Sequence, residues 1–172
     1  MPRAINTGLT GNEFIQKFDI PVFRNLIRNA RHTVFAEIAE KVFLPVLEDY
    51  KRLEAETTAN AEKAFITHLF YFLKFSFSYK PDNQAYTEQI KSPVKFWHDK
   101  RGDCEDYAIF ICSLLSYLGI DCALKLVSQN TEQYTHIYAL AIIGGTEYPL
   151  DPAFFAAPGV EETNITAEEI IN

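Results

Sequence analysis

Two regimes of hydrophobic spacing divide the chain. From about residue 12 to residue 75, apolar side chains recur three and four positions apart in NEFIQKF, FRNLIRNARHTVFAEIAEKVFLPVLEDYKRL and AEKAFITHLFYFLKF, which is the period of amphipathic helices. Pro21 and Pro45 predict breaks or kinks there, because proline lacks a backbone donor and its ring clashes with the preceding turn. The polar stretch EAETTAN separates off a last helix, with Thr58 or Asn60 as its N-cap. FITHLFYFLKF is apolar on most sides, which predicts the most buried helix of the set. Residues 76 to 92 lose the period, and FSYKPDNQAYTEQIKSP reads as an ordered loop carrying two prolines and scattered tyrosines.

After a short segment around VKFWHDK, the run CEDYAIFICSLLSYLG predicts one helix closed by Gly119. DCALKLVS, THIYALAII and TEYPL then read as strands, the last two joined at Gly144-Gly145 as a tight hairpin. Helices come first, and one central helix then feeds an antiparallel sheet, so the fold class expected is α+β. Residues 1–172 form a single domain in this reading. It has an N-terminal helical part over 12–75, a core over 76–152 and an acidic, peripheral tail over 153–172.

Composition narrows the choice of partners. With 172 residues, 48% hydrophobic and 14% aromatic, the chain suits one compact core. Its formal net charge of −7 argues against nucleic acid as a partner. Apolar stretches such as ALAIIGG are too short to cross a bilayer, so no membrane association is expected. No charged-then-apolar leader opens the sequence, and a cytoplasmic location is the expectation. Three cysteines, an odd number, do not make a disulfide framework. Cys104 and Cys112, if they share a helix, stand about 12 Å apart along its axis, too far for a disulfide. Cys122 reads as an ordinary buried thiol in a strand, and a reducing compartment is the simpler setting.

The candidate chemistry centres on RGDCEDYAIF, residues 101–110. A thiolate is the reactive form of cysteine, and a helix N-terminus stabilises it through unpaired N–H groups and the dipole. Cys104 falls where a helix begins, with Asp103 or Gly102 just outside it. Glu105 and Asp106 suit the first turn of a helix, but their charge opposes thiolate formation, so a positive partner is needed. Of the four histidines, His32 and His68 fall in the helical region and His98 in loop surface or along a cleft. His136 opens the strand THIYALAII and shares its face with Tyr134, Tyr138 and Leu140. The next strand ends in YPLDP, and a hairpin would bring Asp151 beside His136, where a carboxylate could hold one imidazole nitrogen and leave the other for a thiol. The order Cys104, His136, Asp151 is spaced by 32 and 15 residues.

SPVKFWHDKRGDCEDYAIFICSLLSYLGI, followed by a strand bearing THIY and another ending in LDP, resembles the core of the transglutaminase-like superfamily, a branch of the papain-like cysteine enzymes. The resemblance covers roughly Tyr79 to Pro152 and rests chiefly on the GDCED block and the LLxxxGI block. It implies an α+β fold with the nucleophile at the start of the central helix and no cofactor. It also implies Cys104 as nucleophile, His136 as general base and acid, and Asp151 as the residue orienting the histidine. The implied chemistry is attack on a peptide or glutamine amide through a thioester, with water or an amine as acceptor. Such a site needs an oxyanion hole. The Cys104 backbone N–H is one donor, and the second, or a residue of the substrate cleft, is sought among Gln84, Gln89, Tyr86, Trp97 and Asp103. For Trp97, packing before the core helix is the competing reading.

Two other classes stay open at the level of sequence. One is a silent version of the fold that binds a protein or peptide, gripped by the aromatic loop FSYKPDNQAY. The other is a metal site on Cys104, His136, Asp151 and His98. No CxxC or HxxxH pair supports the latter, so no metal is expected. Oligomeric state is not encoded in any of these features.

Overall fold

A computed structural model describes residues 15–53, 57–81, 90–129, 133–155, 157–161 and 163–171. The fold is α+β, with the helices preceding the sheet. Two π-helical turns, Ile15–Asp19 and Ala39–Phe43, lead directly into α1 (Ile20–Ala30) and α3 (Leu44–Leu53), with α2 (Val34–Ile38) between them. Pro21 and Pro45 therefore sit in the first turn of a helix that follows a widened turn. The wider π turn gives the proline ring room where an α-helical carbonyl would clash. His32 lies in the turn between α1 and α2 rather than in a helix. The long helix α4 (Thr58–Ser76) is capped one residue earlier than the sequence suggests. Thr57 is extended, and its side chain accepts from the Asn60 N–H at 3.1 Å.

Ser78–Tyr79 (β1) and Arg101–Gly102 (β2) form a two-residue parallel ladder, with Tyr79 opposite Gly102. Between them, VKFWHDK is helical as α5 (Pro93–Asp99), capped by Ser92 and ended by Lys100 in the left-handed region. The central helix α6 (Cys104–Leu118) follows, and Gly119 closes it at φ +77°. All residues from Asp106 to Leu115 are buried on α6. It is apolar on every side because it packs on β3 and β4 of the sheet, on α5 and on α1.

The main sheet runs β5-β4-β3-β6, antiparallel throughout. Its strands are β3 (Asp121–Gln129), β4 (His136–Ile143), β5 (Thr146–Leu150) and β6 (Ile165–Ile171). Gly144 and Gly145, at φ +58° and +80°, make the β4–β5 turn; two successive positive φ values are what a tight hairpin of this twist requires. The tail over 153–172, read as peripheral, is corrected here. Residues Ile165–Ile171 add a fourth strand on β3, and Glu168 reaches back to Lys125 at 2.8 Å. Lys125 is buried and also pairs with Glu161. Burial pulls its ammonium down, but the two carboxylates outweigh it and hold it above the ordinary lysine value. Two acids of the tail, Glu161 and Glu168, thus neutralise one buried cation.

Between the N-terminal helices and α6 lies an aromatic cluster. Trp97 stacks on Phe110 at 6.0 Å and 4°, and also meets Phe43, Phe72 and Phe77. Lys100 lies over its face at 3.2 Å. The helical region is therefore part of the same core as the sheet, not a separate appendage.

Candidate active site

The start of α6 is fixed by local chemistry. Asp103 is the N-cap, with extended backbone, and its carboxylate accepts from the Asp106 N–H at 3.4 Å. Asp106 returns the bond from the Asp103 N–H at 3.3 Å, which completes a capping box. Asp106 is buried and does more than suit the helix dipole. Its carboxylate also takes the Lys91 N–H at 2.8 Å and pairs with the Lys91 ammonium. Gly102 is required beside it: a Cβ there would stand 2.6 Å from the Asp106 Cβ. The glycine and the buried acid together press β2 against the first turn of α6 and set Cys104 as its first residue.

Cys104 is half-buried, and its sulfur accepts the N–H of Ile137, the residue after His136 on β4. The N-terminus of α6 and the start of β4 thus meet at the sulfur. Burial, followed by the charges of Glu105 and Asp103, pushes the thiol well above its ordinary range, and the Ile137 N–H only partly offsets this. At neutral pH the thiol is protonated.

His136 is brought to Asp151 by the β4–β5 hairpin, whose register places Leu150 opposite Ala139. The His136 Nε2 lies 2.5 Å from Asp151 Oδ2. The other carboxylate oxygen accepts the N–H groups of Ala153 and Phe154 at 3.1 and 3.2 Å. Asp151 is buried, so the turn after β5 locks its orientation and commits Nε2, and among the described residues no hydrogen bond engages Nδ1. The Phe154 ring packs edge-on to His136 at 4.7 Å and to Tyr79 at 4.9 Å.

Tyr79 is the residue that sequence reasoning missed. Its pairing with Gly102 puts it two positions from Cys104 across the ladder. Partial burial and the neighbouring acidic groups of Cys104, Asp103, Asp151 and Glu105 push its phenol up to about 12, so its hydroxyl stays a donor. Nothing in FSYKP marks it, since the ladder joins segments 23 residues apart. Tyr107 is likewise pushed up to about 12, by burial and Asp151.

The other sought residues fall elsewhere. Trp97 is held in the aromatic cluster, which is the packing reading. Asp103 is spent on the helix cap, and as a carboxylate it donates nothing to an oxyanion. Gln84, Tyr86 and Gln89 lie outside the described residues. His98 is exposed on α5, and His68 meets the Tyr50 hydroxyl at 3.4 Å. Among the described residues, no group of three or more His, Cys, Asp and Glu side chains is arranged to hold a metal ion.

A thiol at the head of a buried helix, held by the N–H that follows a strand histidine, with a carboxylate bonded to that histidine, is a layout of the papain-like kind. Residues 51–152 match the transglutaminase-like superfamily, and the chain belongs to that family. Among solved structures it is similar to calcium-bound LapG of Legionella pneumophila, at 17% identity and a TM-score of 0.52, over 86% of this chain and 80% of that one. It also aligns with a provisionally assigned cysteine protease from Cytophaga hutchinsonii, at 14% identity and a TM-score of 0.46, over 74% of this chain. The periplasmic domain of TgpA from Pseudomonas aeruginosa aligns at 17% identity and a TM-score of 0.41, over 63% of this chain. The matched region spans 46% of the Cytophaga protein and 42% of the TgpA chain. Among curated proteins none matches the sequence.

Proposed function

We propose that the protein is a cysteine-dependent acyl-transfer enzyme acting on a peptide or glutamine amide of a protein substrate. The observation that carries this reading is the Asp151–His136 contact at 2.5 Å, beside a sulfur anchored on the Ile137 N–H. Because the resting thiol is protonated, His136 acts as a general base during attack rather than as a preformed imidazolium partner. Its Nδ1 takes the Cys104 proton while Asp151 holds the Nε2–H. The sulfur–carbon bond forms, and the carbonyl electrons move to oxygen. The Cys104 backbone N–H, a first-turn donor of α6, and the Tyr79 hydroxyl are the donors for that oxygen. Collapse breaks the carbon–nitrogen bond, and His136 returns the proton to the leaving ammonia or amine. Water or a second amine then takes the acyl group from the thioester. Water gives proteolysis or deamidation, and a lysine amine gives cross-linking.

The raised thiol pKa is the one observation favouring the alternative, a silent fold used to bind peptides, and a single experiment separates the two. Iodoacetamide labelling at neutral pH is mapped by peptide mass spectrometry in the parent, Cys104→Ala and His136→Ala. In the acyl-transfer reading His136→Ala slows labelling of Cys104 by about a hundredfold, within the range of general-base effects. Labelling of Cys104 at an unchanged rate in His136→Ala would overturn the assignment and leave the binding module.

A further inference from the structure

Away from the candidate active site, helix α1 presents Arg24 and Arg28 and ends at Arg31, positions spaced to share one face. With His32 they line one side of a cavity of about 660 Å³, within the ordinary size range of small-molecule sites. Its other walls are apolar or weakly polar and come from the far ends of the core elements: Cys112 and Ser116 of α6, and Cys122 and Leu124 of β3. No carboxylate is among the described lining residues. Arg31 donates to the Ser116 carbonyl and hydroxyl and so has a structural duty at the C-terminal end of α6. Arg24 and Arg28 are exposed and pair with no carboxylate among the described residues. Three of the six arginines in a chain of net charge −7 therefore converge on one opening.

The cavity is separate from Cys104. Ser116 is twelve residues along α6 from Cys104, about 18 Å at the helical rise. Cys122 is five residues along β3 from Val127, the partner of His136, about 16 Å at the strand rise. Guanidinium groups hold phosphate and carboxylate oxygens through paired N–H donors, and the apolar walls accommodate a carbon skeleton behind such a head. We propose that this cavity is a binding site for a small polyanion, a molecule carrying phosphate or multiple carboxylate groups on an apolar body. The proposal does not depend on the chemistry of Cys104.

Cys122 supplies a reporter inside the site. Its thiol is held below the ordinary range, chiefly by the neighbouring Cys112 thiol, with the backbone at Ser116 and the Arg31 charge acting in the same direction against burial and the Asp121 charge. In the full chain carrying Cys104→Ala, modification of Cys122 by dianionic dithiobis(nitrobenzoate) and by neutral dithiodipyridine is followed and mapped by mass spectrometry. Each rate is scaled to that of a free cysteine peptide. The dianion is expected to react about tenfold faster than the neutral reagent, the preference of roughly one ion pair in a partly desolvated setting. Arg24→Gln with Arg28→Gln removes that preference and leaves the neutral rate in place. Inorganic pyrophosphate or citrate protects Cys122 beyond sodium chloride at equal ionic strength. Protection by pyrophosphate alone assigns a phosphate ligand, and by citrate alone a carboxylate one. Equal scaled rates for the two reagents, or protection no greater than that of sodium chloride, would overturn the proposal.

Discussion

At the scale of single residues, RGDCEDY shows how closely spaced acids divide their duties. Asp103 caps the helix, Glu105 faces the sulfur with its charge, and Asp106 turns inward to Lys91 and two backbone N–H groups. Only burial distinguishes Asp106 from Glu105: one carboxylate is enclosed and the other half-exposed. Removing one member of a buried pair leaves the other charge poorly compensated. Asp106→Ala is therefore expected to lower unfolding free energy by about 3 kcal/mol, measured by urea denaturation. The same variant should loosen the start of α6 and make Cys104 more accessible to iodoacetamide. If Asp106 served only the helix dipole, the cost would be under about 1 kcal/mol.

At the scale of elements, the acidic tail is the clearest case of a segment defined by its partner. ITAEEII places Ile165, Ala167 and Ile171 on one face, but Glu169 interrupts that face, so its alternation is weak. It becomes a strand because β3 offers an open edge and a buried ammonium at Lys125. Glu161→Gln with Glu168→Gln should cost about 2 kcal/mol, less than a fully buried pair because both carboxylates are partly in solvent. Adding Lys125→Met to that double variant should recover most of the loss, read as the thermal midpoint. Failure of the lysine replacement to recover stability would place the cost in strand pairing instead. Helix α6 is the opposite case: its cap, its apolar run and Gly119 are all local signals, and its bounds match them.

For the whole molecule, alkaline pH is the informative stress. Cys104, Tyr79 and Tyr107 all have raised folded-state values, so the fold favours their protonated forms. The sign follows from proton counting: above the ordinary thiol and phenol values the unfolded chain has released protons that the folded chain retains. Their contribution is complete below the ordinary values and is lost as pH rises, for the tyrosines between 10.0 and about 12. The urea midpoint of the parent should therefore fall between about pH 8 and about pH 11. Tyr107→Phe, which removes the buried phenol, should flatten that fall. An equal slope in the variant would mean that the phenol is not perturbed in the fold.

The amino-acid sequence alone determined what short-range physics controls. The helical period of α6, its closure at Gly119 and the hairpin at Gly144-Gly145 all depend on residues a few positions apart. The hairpin in turn sets His136 against Asp151, because two strands joined by a tight turn have little freedom of register. Other features were decided only by tertiary packing. The Ile137 N–H at the sulfur, Lys91 against Asp106, Tyr79 opposite Gly102, β6 on β3 and the arginines of α1 over Cys122 each join segments that share no local signal. Their pairing depends on which surfaces the core brings together, and burial then sets the energies: it raises the thiol, makes the Asp106 ion pair costly to break and gives the acidic tail a cation to neutralise.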